Sequence, residues 1–198
     1  TIADQSVEEP IPAQPIDPPT ITVTFGINDS PLAGRDGKKV QSRVIRDRLL
    51  KECESNVAIK MVDTPGGEAF DVSGRGELQM GVLIENMRRE GFELSISRPR
   101  VIYKDVDGVK NEPIEEVTID VDEEFSGAVI EKLSSRKGEM VDLKSSGSGK
   151  TRIIALVPSR GLIGYHSEFM TDTRGTGILN RVFHSWSPHK GSIAGRRQ

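Results

Sequence analysis

The chain has 198 residues and a formal net charge of −3, with 35% hydrophobic and 29% charged residues, which is typical of one large or two small polar, soluble domains. No apolar run approaches the roughly 20 residues of a membrane span, and Thr1–Pro19 lacks the basic and apolar regions of a secretory signal, so we predict no membrane partner. Cys53 is the single cysteine, which excludes an internal disulfide and fits the reducing cytoplasm.

The first half of the chain predicts a linker followed by a β-α-β-β-α-β succession. Five of the eleven prolines fall in residues 1–19, which we interpret as an extended linker from domains further upstream. Met80, Leu83 and Met87 recur at the spacing of one helix face. The predicted elements are strand Ile21–Ile27, helix Lys39–Glu54, hairpin strands Val57–Asp63 and Glu68–Ser73, helix Glu77–Glu90 and strand Phe92–Ser97.

The second half repeats this succession. The predicted elements are strand Ile114–Val121, helix Phe125–Ser135, hairpin strands Glu139–Leu143 and Arg152–Pro158, helix Gly161–Thr173 and strand Ile178–Trp186, followed by a basic tail. Each repeat predicts a small antiparallel sheet with two helices on one face. We therefore predict an α+β fold with two ferredoxin-like β-α-β-β-α-β domains in tandem, at residues 20–104 and 105–198.

Charge is distributed unevenly along the second repeat. Glu112–Glu124 contains seven acidic residues and no base, whereas Ser134–Gln198 contains eleven Lys or Arg against four Asp or Glu. A local positive excess favours polyanion binding even when the whole chain is negative. The alternative is that each run is an ordinary solvated face.

Two short runs resemble nucleotide-binding motifs. Gly147-Ser148-Gly149-Lys150-Thr151 is similar to the end of a P-loop, but Lys144 stands where that motif needs a glycine, and the run lies between two predicted strands instead of ahead of a helix. Asp63-Thr64-Pro65-Gly66 is similar to a GTPase switch motif, but it also has the composition of a hairpin turn. We interpret both as turns, so no cofactor is expected in this chain.

The sequence offers no catalytic or metal-binding constellation. His166, His184 and His189 lack acidic or cysteine partners at ligand spacing, and no nucleophile is paired with a base in the pattern. We therefore predict that the chain is not an enzyme and that its surfaces bind a partner.

Two stretches connect the chain to a known family. Ser73-Gly74-Arg75-Gly76-Glu77-Leu78-Gln79-Met80 resembles a segment in domain III of translational GTPases. Arg160-Gly161-Leu162-Ile163-Gly164-Tyr165 and Thr171-Asp172-Thr173-Arg174-Gly175-Thr176-Gly177-Ile178 closely resemble domain V of the BipA/TypA ribosome-binding GTPases. The resemblance covers nearly all of Thr20–Ile193. Only Val101–Glu112 separates the repeats, which agrees with BipA and LepA, whereas elongation factor G has an additional domain there.

The resemblance implies a C-terminal fragment of a cytoplasmic, ribosome-associated GTPase involved in stress adaptation and large-subunit assembly. GTP and Mg²⁺ would bind the GTPase domain, outside these residues. Domain V would dock on large-subunit ribosomal RNA near the factor-binding stalk base, and domain III would face the small subunit and relay the nucleotide state; DNA is not an expected partner. With the charge pattern, this implies eight candidate contacts: Arg75, Arg136, Lys137, Arg160, Arg174, Arg181, His184 and Lys190.

Two other functions stay open at this point. The ferredoxin-like plan also resembles ACT regulatory domains, which bind amino acids at paired sheets. That alternative predicts an obligate dimer, a thermal shift with a small molecule and low sensitivity of binding to salt. An independent P-loop enzyme would require nucleotide binding by this chain. The glycine-rich runs argue against the first alternative, and Lys144 argues against the second.

Overall fold

A computed structural model describes residues 16–145 and 147–193, so most of the predicted linker 1–19 lies outside the described residues. The first unit consists of β1 (Ile21–Ile27), α1 (Ser42–Ser55), β2 (Lys60–Asp63), β3 (Ala69–Gly74), α2 (Glu77–Arg89), β4 (Leu94–Ile96) and β5 (Arg100–Val101). Its antiparallel sheet has the order β2-β3-β1-β4, and β5 also pairs with β1.

Side-chain alternation along β1 explains how this sheet is covered. Ile21, Val23 and Phe25 point into the core, because successive side chains of a strand face opposite sides of the sheet. On the other side, the Thr22 hydroxyl lies 2.8 Å from that of Ser73 on β3. The two helices complete the core with one apolar face each, formed by Ile45 and Leu49 of α1 and by Met80, Leu83 and Met87 of α2.

The second unit repeats the plan with one additional strand at its start. It consists of β6 (Lys104–Val106), β7 (Val109–Asp122), α3 (Glu123–Ser135), β8 (Glu139–Ser145), β9 (Lys150–Pro158), α4 (Ser159–Leu162), α5 (Tyr165–Asp172) and β10 (Ile178–Pro188). Its antiparallel sheet has the order β10-β7-β9-β8, with β6 paired to β7. Val117, Ile119 and Val121 of β7 form the centre of its core.

Both sheets have the ferredoxin-like strand order. When the four main strands of each unit are numbered along the chain, each sheet has the order 4-1-3-2, which is the arrangement expected of a β-α-β-β-α-β unit. The predicted α+β class, with two tandem ferredoxin-like antiparallel sheets, is therefore confirmed.

The helix predicted at Gly161–Thr173 is wrong in one respect: the structure divides it into α4 and α5. Gly164 separates the two helices and has a φ of +72°. This left-handed backbone conformation costs an L-residue with a side chain roughly 1–2 kcal/mol, but glycine adopts it freely. The break turns α5 relative to α4, so that Tyr165 and Phe169 enter the core.

The stretch Val101–Glu112, predicted as a simple connection, forms ordered structure. Val106 and Val109 pair across a tight turn, and Lys104 pairs with Asn111, so β6 and the start of β7 make a hairpin. The second sheet therefore begins at Lys104 and contains residues on both sides of the predicted boundary between residues 104 and 105, which stays a prediction.

Candidate nucleic-acid interface

Four of the eight candidate contacts surround the short helix α4 and are held in ion pairs. Arg160 forms a bidentate ion pair with Glu112 of β7. Its Nε donates to Oε2, and its Nη2 donates to Oε1 at 3.2 Å. The Glu112 side chain is 0% exposed and that of Arg160 is 13% exposed. The backbone N–H of Lys190 donates to the same Oε1 at 2.7 Å, and Lys190 Nζ lies 2.7 Å from Glu139 Oε1. Arg160 and Glu112 therefore attach both α4 and the C-terminal tail to β7.

Burial and hydrogen bonding act in opposite directions on Glu112. Burial raises the pKa of this carboxyl, but the hydrogen bonds from Arg160 and from Lys190 N–H hold the pKa below its ordinary value. Glu112 is therefore ionised at neutral pH, and its charge is compensated by Arg160. The guanidinium of Arg160 thus has a structural partner before any RNA phosphate approaches.

Arg181 and Arg136 contact α4 from two other elements. Arg181 of β10 donates from Nε and Nη2 to Glu115 at 2.6 and 3.1 Å, and the Ser159 hydroxyl of α4 donates to the same carboxylate at 2.8 Å. Arg136, at the end of α3, donates from Nη1 to the Gly161 carbonyl at 2.7 Å. These two arginines fix α4 between the sheet and α3.

A groove of about 1000 Å³ lies beside α4 and is lined by residues of α3, α4 and α5. Glu168 on its wall pairs with both Lys132 and Arg136, and these hydrogen bonds, that from Lys132 first, hold the pKa of Glu168 below its ordinary value. Arg136 also lies over the ring of Tyr165 at 4.9 Å from the centroid. Burial raises the pKa of the Tyr165 hydroxyl to about 12, so this group stays neutral below that pH.

The acidic run and the basic segment of the second repeat meet in the folded unit. Besides the pairs of Glu112 and Glu115, Asp120 of β7 forks with Arg152 of β9 at 2.7 and 2.9 Å, and Asp122 lies 3.1 Å from Lys150 Nζ. Lys150, Arg152, Arg160 and Arg181 of the basic segment are therefore paired with carboxylates of the facing strand β7, so part of its positive excess is neutralised within the unit.

The other four candidate contacts are exposed: Arg75, Lys137, Arg174 and His184. Within the part of the chain that the structure describes, no ion pair involves Arg75, Lys137 or Arg174. The backbone around Arg75 is fixed, because its N–H donates to Gln79 Oε1 at 2.9 Å and its carbonyl accepts from Thr20 Oγ1 at 3.0 Å. His184 Nδ1 lies 3.0 Å from Ser185 Oγ.

Lys137 and Arg174 stand at opposite ends of α3. Lys137 follows Arg136, the residue that caps the C-terminal end of this helix, and has a φ of +65°. Arg174 lies over Phe125, near the N-terminal end of α3, at 5.6 Å from the ring centroid. A helix of this length spans about 20 Å. The structure therefore brings Arg136, Arg160, Arg181 and Lys190 together at α4 and separates Lys137 from Arg174.

The sequence analysis missed the roles of Glu112 and Glu115. The burial of Glu115 could have been predicted from the sequence. Glu115 is an even number of residues away from Val117, Ile119 and Val121 in the same strand, so its side chain faces the same side of the sheet, towards the core. Glu112 has the opposite parity, and it is separated from Arg160 by 48 positions. No signal in the sequence indicates this pairing.

The two motif-like runs are turns, as predicted. Residues 147–149 lie between strands β8 and β9, so this loop is not followed directly by the helix N-terminus that a P-loop places at a phosphate. Thr64 closes the turn from β2 to β3 by donating from its N–H and hydroxyl to the Ala69 carbonyl at 3.0 and 2.8 Å. Among residues 16–145 and 147–193, no group of three potential metal ligands is found, and no helix has the length and apolarity needed to span a membrane.

Comparison with known proteins gives matches to both halves of the chain. Residues 109–197 match the family model "Elongation factor G C-terminus". The chain is 13% identical to a protein from Thermus thermophilus of known crystal structure, with a TM-score of 0.55 over 93% of this chain and 44% of the other; this likeness concerns the fold alone.

The curated relatives extend over the entire chain. A protein named large ribosomal subunit assembly factor BipA is 50% identical in Bacillus subtilis and 51% identical in Haemophilus influenzae, in each case over 100% of this chain and 32% of the relative. The protein of that name from Escherichia coli K12 is 48% identical, over 100% of this chain and 33% of its own length. With this identity along its whole length, the chain belongs to the BipA/TypA family.

Proposed function

We propose that the chain is a ribosome-docking and signal-relay module of a ribosome-associated GTPase that acts in stress adaptation and large-subunit assembly. The observation that carries this proposal is the match to relatives named large ribosomal subunit assembly factor, at 50% identity over the whole chain. The chain spans 32% of the length of that relative, so the activity and partners of the whole protein are part of the proposal.

The two units take different roles in this proposal. The second unit binds large-subunit ribosomal RNA near the factor-binding stalk base, and the first unit faces the small subunit and relays the nucleotide state. The exposed cations Arg75, Lys137 and Arg174 support RNA contact, because phosphates are bound by basic side chains held on a rigid backbone. Arg136, Arg160, Arg181 and Lys190 support it indirectly, by fixing α4 and the tail.

GTP and Mg²⁺ bind elsewhere in the parent protein, and this chain carries no part of the hydrolysis. The strand-to-strand position of Gly147–Gly149 supports this assignment, because a phosphate-binding loop needs a following helix N-terminus. The parent is a GTPase that works in the cytoplasm together with ribosomes.

Removal of the exposed cations tests the proposal. The variant Arg75→Gln/Lys137→Gln/Arg174→Gln should bind ribosomes at least about tenfold more weakly, since each lost phosphate contact removes a favourable counterion-release contribution. Co-sedimentation at fixed salt measures this affinity, and circular dichroism verifies that the fold is retained.

The matched control also loses three exposed cations, all of them arginines. Arg46, Arg88 and Arg89 pair with Asp63 or Glu85 inside the first unit, so the variant Arg46→Gln/Arg88→Gln/Arg89→Gln should bind ribosomes as the unaltered chain does. Equal weakening of both triple variants would show that net charge alone governs the binding and would contradict the assigned contacts.

A further inference from the structure

Two of the glycine-containing runs that mark the family, residues 73–80 and 160–165, meet where the first unit contacts the second. Glu77 is the first residue of α2, and its carboxylate faces the break between α4 and α5. The Gly164 N–H donates to this carboxylate, with the nitrogen 3.1 Å from Oε2 and 3.3 Å from Oε1. A side chain of one run therefore binds the backbone of the other, across 87 positions of sequence.

The backbone of Gly164 explains why a carboxylate is placed there. Ile163, which follows α4, has an extended backbone with a ψ of 122°, so the Gly164 N–H does not continue the hydrogen bonds of α4. A helix N-terminus also carries a partial positive charge. Glu77 therefore lies at the N-terminal ends of both α2 and α5, and the partial positive charge of each helix end stabilises its carboxylate.

A second contact attaches the connection between the units to the C-terminal tail. Tyr103, between β5 and β6, packs against His189 with a ring-centroid distance of 5.8 Å, and Lys110 Nζ lies 3.7 Å from the centroid of the Tyr103 ring. The chain connection alone would allow the two units to rotate relative to each other. Two attachment points, at Glu77 and at Tyr103, restrict that rotation.

We propose that Glu77 is a positioning residue that holds the two units in one relative orientation, as a latch between α2 and the α4–α5 break. The latch makes the pair of units one rigid body in the free chain. This inference goes beyond the proposed function, because it concerns the chain without ribosomes, and its test does not involve ribosome binding.

The test replaces Glu77 in the free chain and measures orientation and hydrogen bonding by nuclear magnetic resonance. In the unaltered chain, residual dipolar couplings of both units should fit one alignment tensor. In Glu77→Ala, the two units should require separate tensors, and the Gly164 amide should exchange with solvent about tenfold faster, because it has lost a charge-assisted hydrogen bond.

Two further variants distinguish a specific contact between Glu77 and Gly164 from a general destabilisation of α2. Glu77→Gln retains an acceptor oxygen and should keep a single tensor. Glu85 lies on the same helix, and Glu85→Ala removes only ion pairs to Arg88 and Arg89. The couplings of both units in this variant should also fit a single alignment tensor. A single tensor in Glu77→Ala, unchanged exchange at Gly164, or equal reorientation in Glu85→Ala would overturn the proposal.

Discussion

Replacement of Arg160 by alanine is expected to lower the free energy of unfolding of the second unit by about 3–5 kcal/mol. The substitution leaves the carboxylate of Glu112, whose side chain is 0% exposed, without its charged partner, and a buried uncompensated charge has a cost of this order. Denaturant unfolding measures the loss. Trp186, the single tryptophan of the chain, reports on the second unit because it lies in β10.

Two controls isolate the effect of burial. Arg152 forks Asp120 with similar geometry but is 56% exposed, so Arg152→Ala should change the unfolding free energy little. The double variant Glu112→Gln/Arg160→Met removes both charges and should recover a large part of the stability lost in Arg160→Ala. If Arg160→Ala were as mild as Arg152→Ala, the structural role assigned to the buried pair would be contradicted.

The stability difference between the unaltered chain and Arg160→Ala should depend on pH. In the unaltered chain the pKa of Glu112 is held below its ordinary value, so the stabilisation is present above that value and is lost as pH falls through the folded-state pKa. In Arg160→Ala, we expect burial to raise the pKa of the Glu112 carboxyl. Protonation at low pH then removes the buried charge and restores part of the stability of the variant. The difference should be largest near pH 7 and should shrink as pH falls, first through the raised pKa of Glu112 in the variant and then, for the unaltered chain, below about pH 4.3, the ordinary pKa of glutamate.

Met87→Asp is expected to unfold the first unit at 25 °C. Met87 is 0% exposed and packs with Met80 and Leu83 in the first core. A unit of this size has a total stability of about 4–12 kcal/mol, and an unpaired charge in its core removes several kcal/mol of it. The ¹H–¹⁵N correlation spectrum should lose the dispersed peaks of residues 20–101 while the peaks of residues 104–193 remain.

The matched control for this variant conserves side-chain volume. Met87→Leu should retain both sets of dispersed peaks, because volume-conserving apolar exchanges cost less than about 1.5 kcal/mol. Retention of the first unit in Met87→Asp would contradict the assignment of Met87 to the core.

Elements defined by local pattern were predictable from the sequence. The helix predicted at Glu77–Glu90 is observed at Glu77–Arg89, because its apolar spacing fixes one buried face and Gly91, with a φ of +85°, ends it. The duplicated strand and helix succession similarly determined both strand orders. The break at Gly164 was not predicted, because a glycine within a helical pattern does not show by itself that its backbone is left-handed.

The candidate interface was less predictable, because charge in sequence is not charge on the surface. Arg160 and Arg181 lie in a basic segment, but their partners Glu112 and Glu115 come from β7. Only the sheet register and the position of α4 bring these groups together. Arg75, Lys137 and Arg174, which have no such partner in the described part of the chain, were indistinguishable from them in the sequence.

The salt dependence of binding to ribosomes is the most direct test of the proposed docking function. For the unaltered chain, the logarithm of the association constant should fall steeply and linearly with the logarithm of the salt concentration. The slope should be shallower by about 3 in Arg75→Gln/Lys137→Gln/Arg174→Gln, one unit for each lost phosphate contact. Binding that is insensitive to salt, or a slope that is the same in both chains, would contradict electrostatic docking through these three side chains.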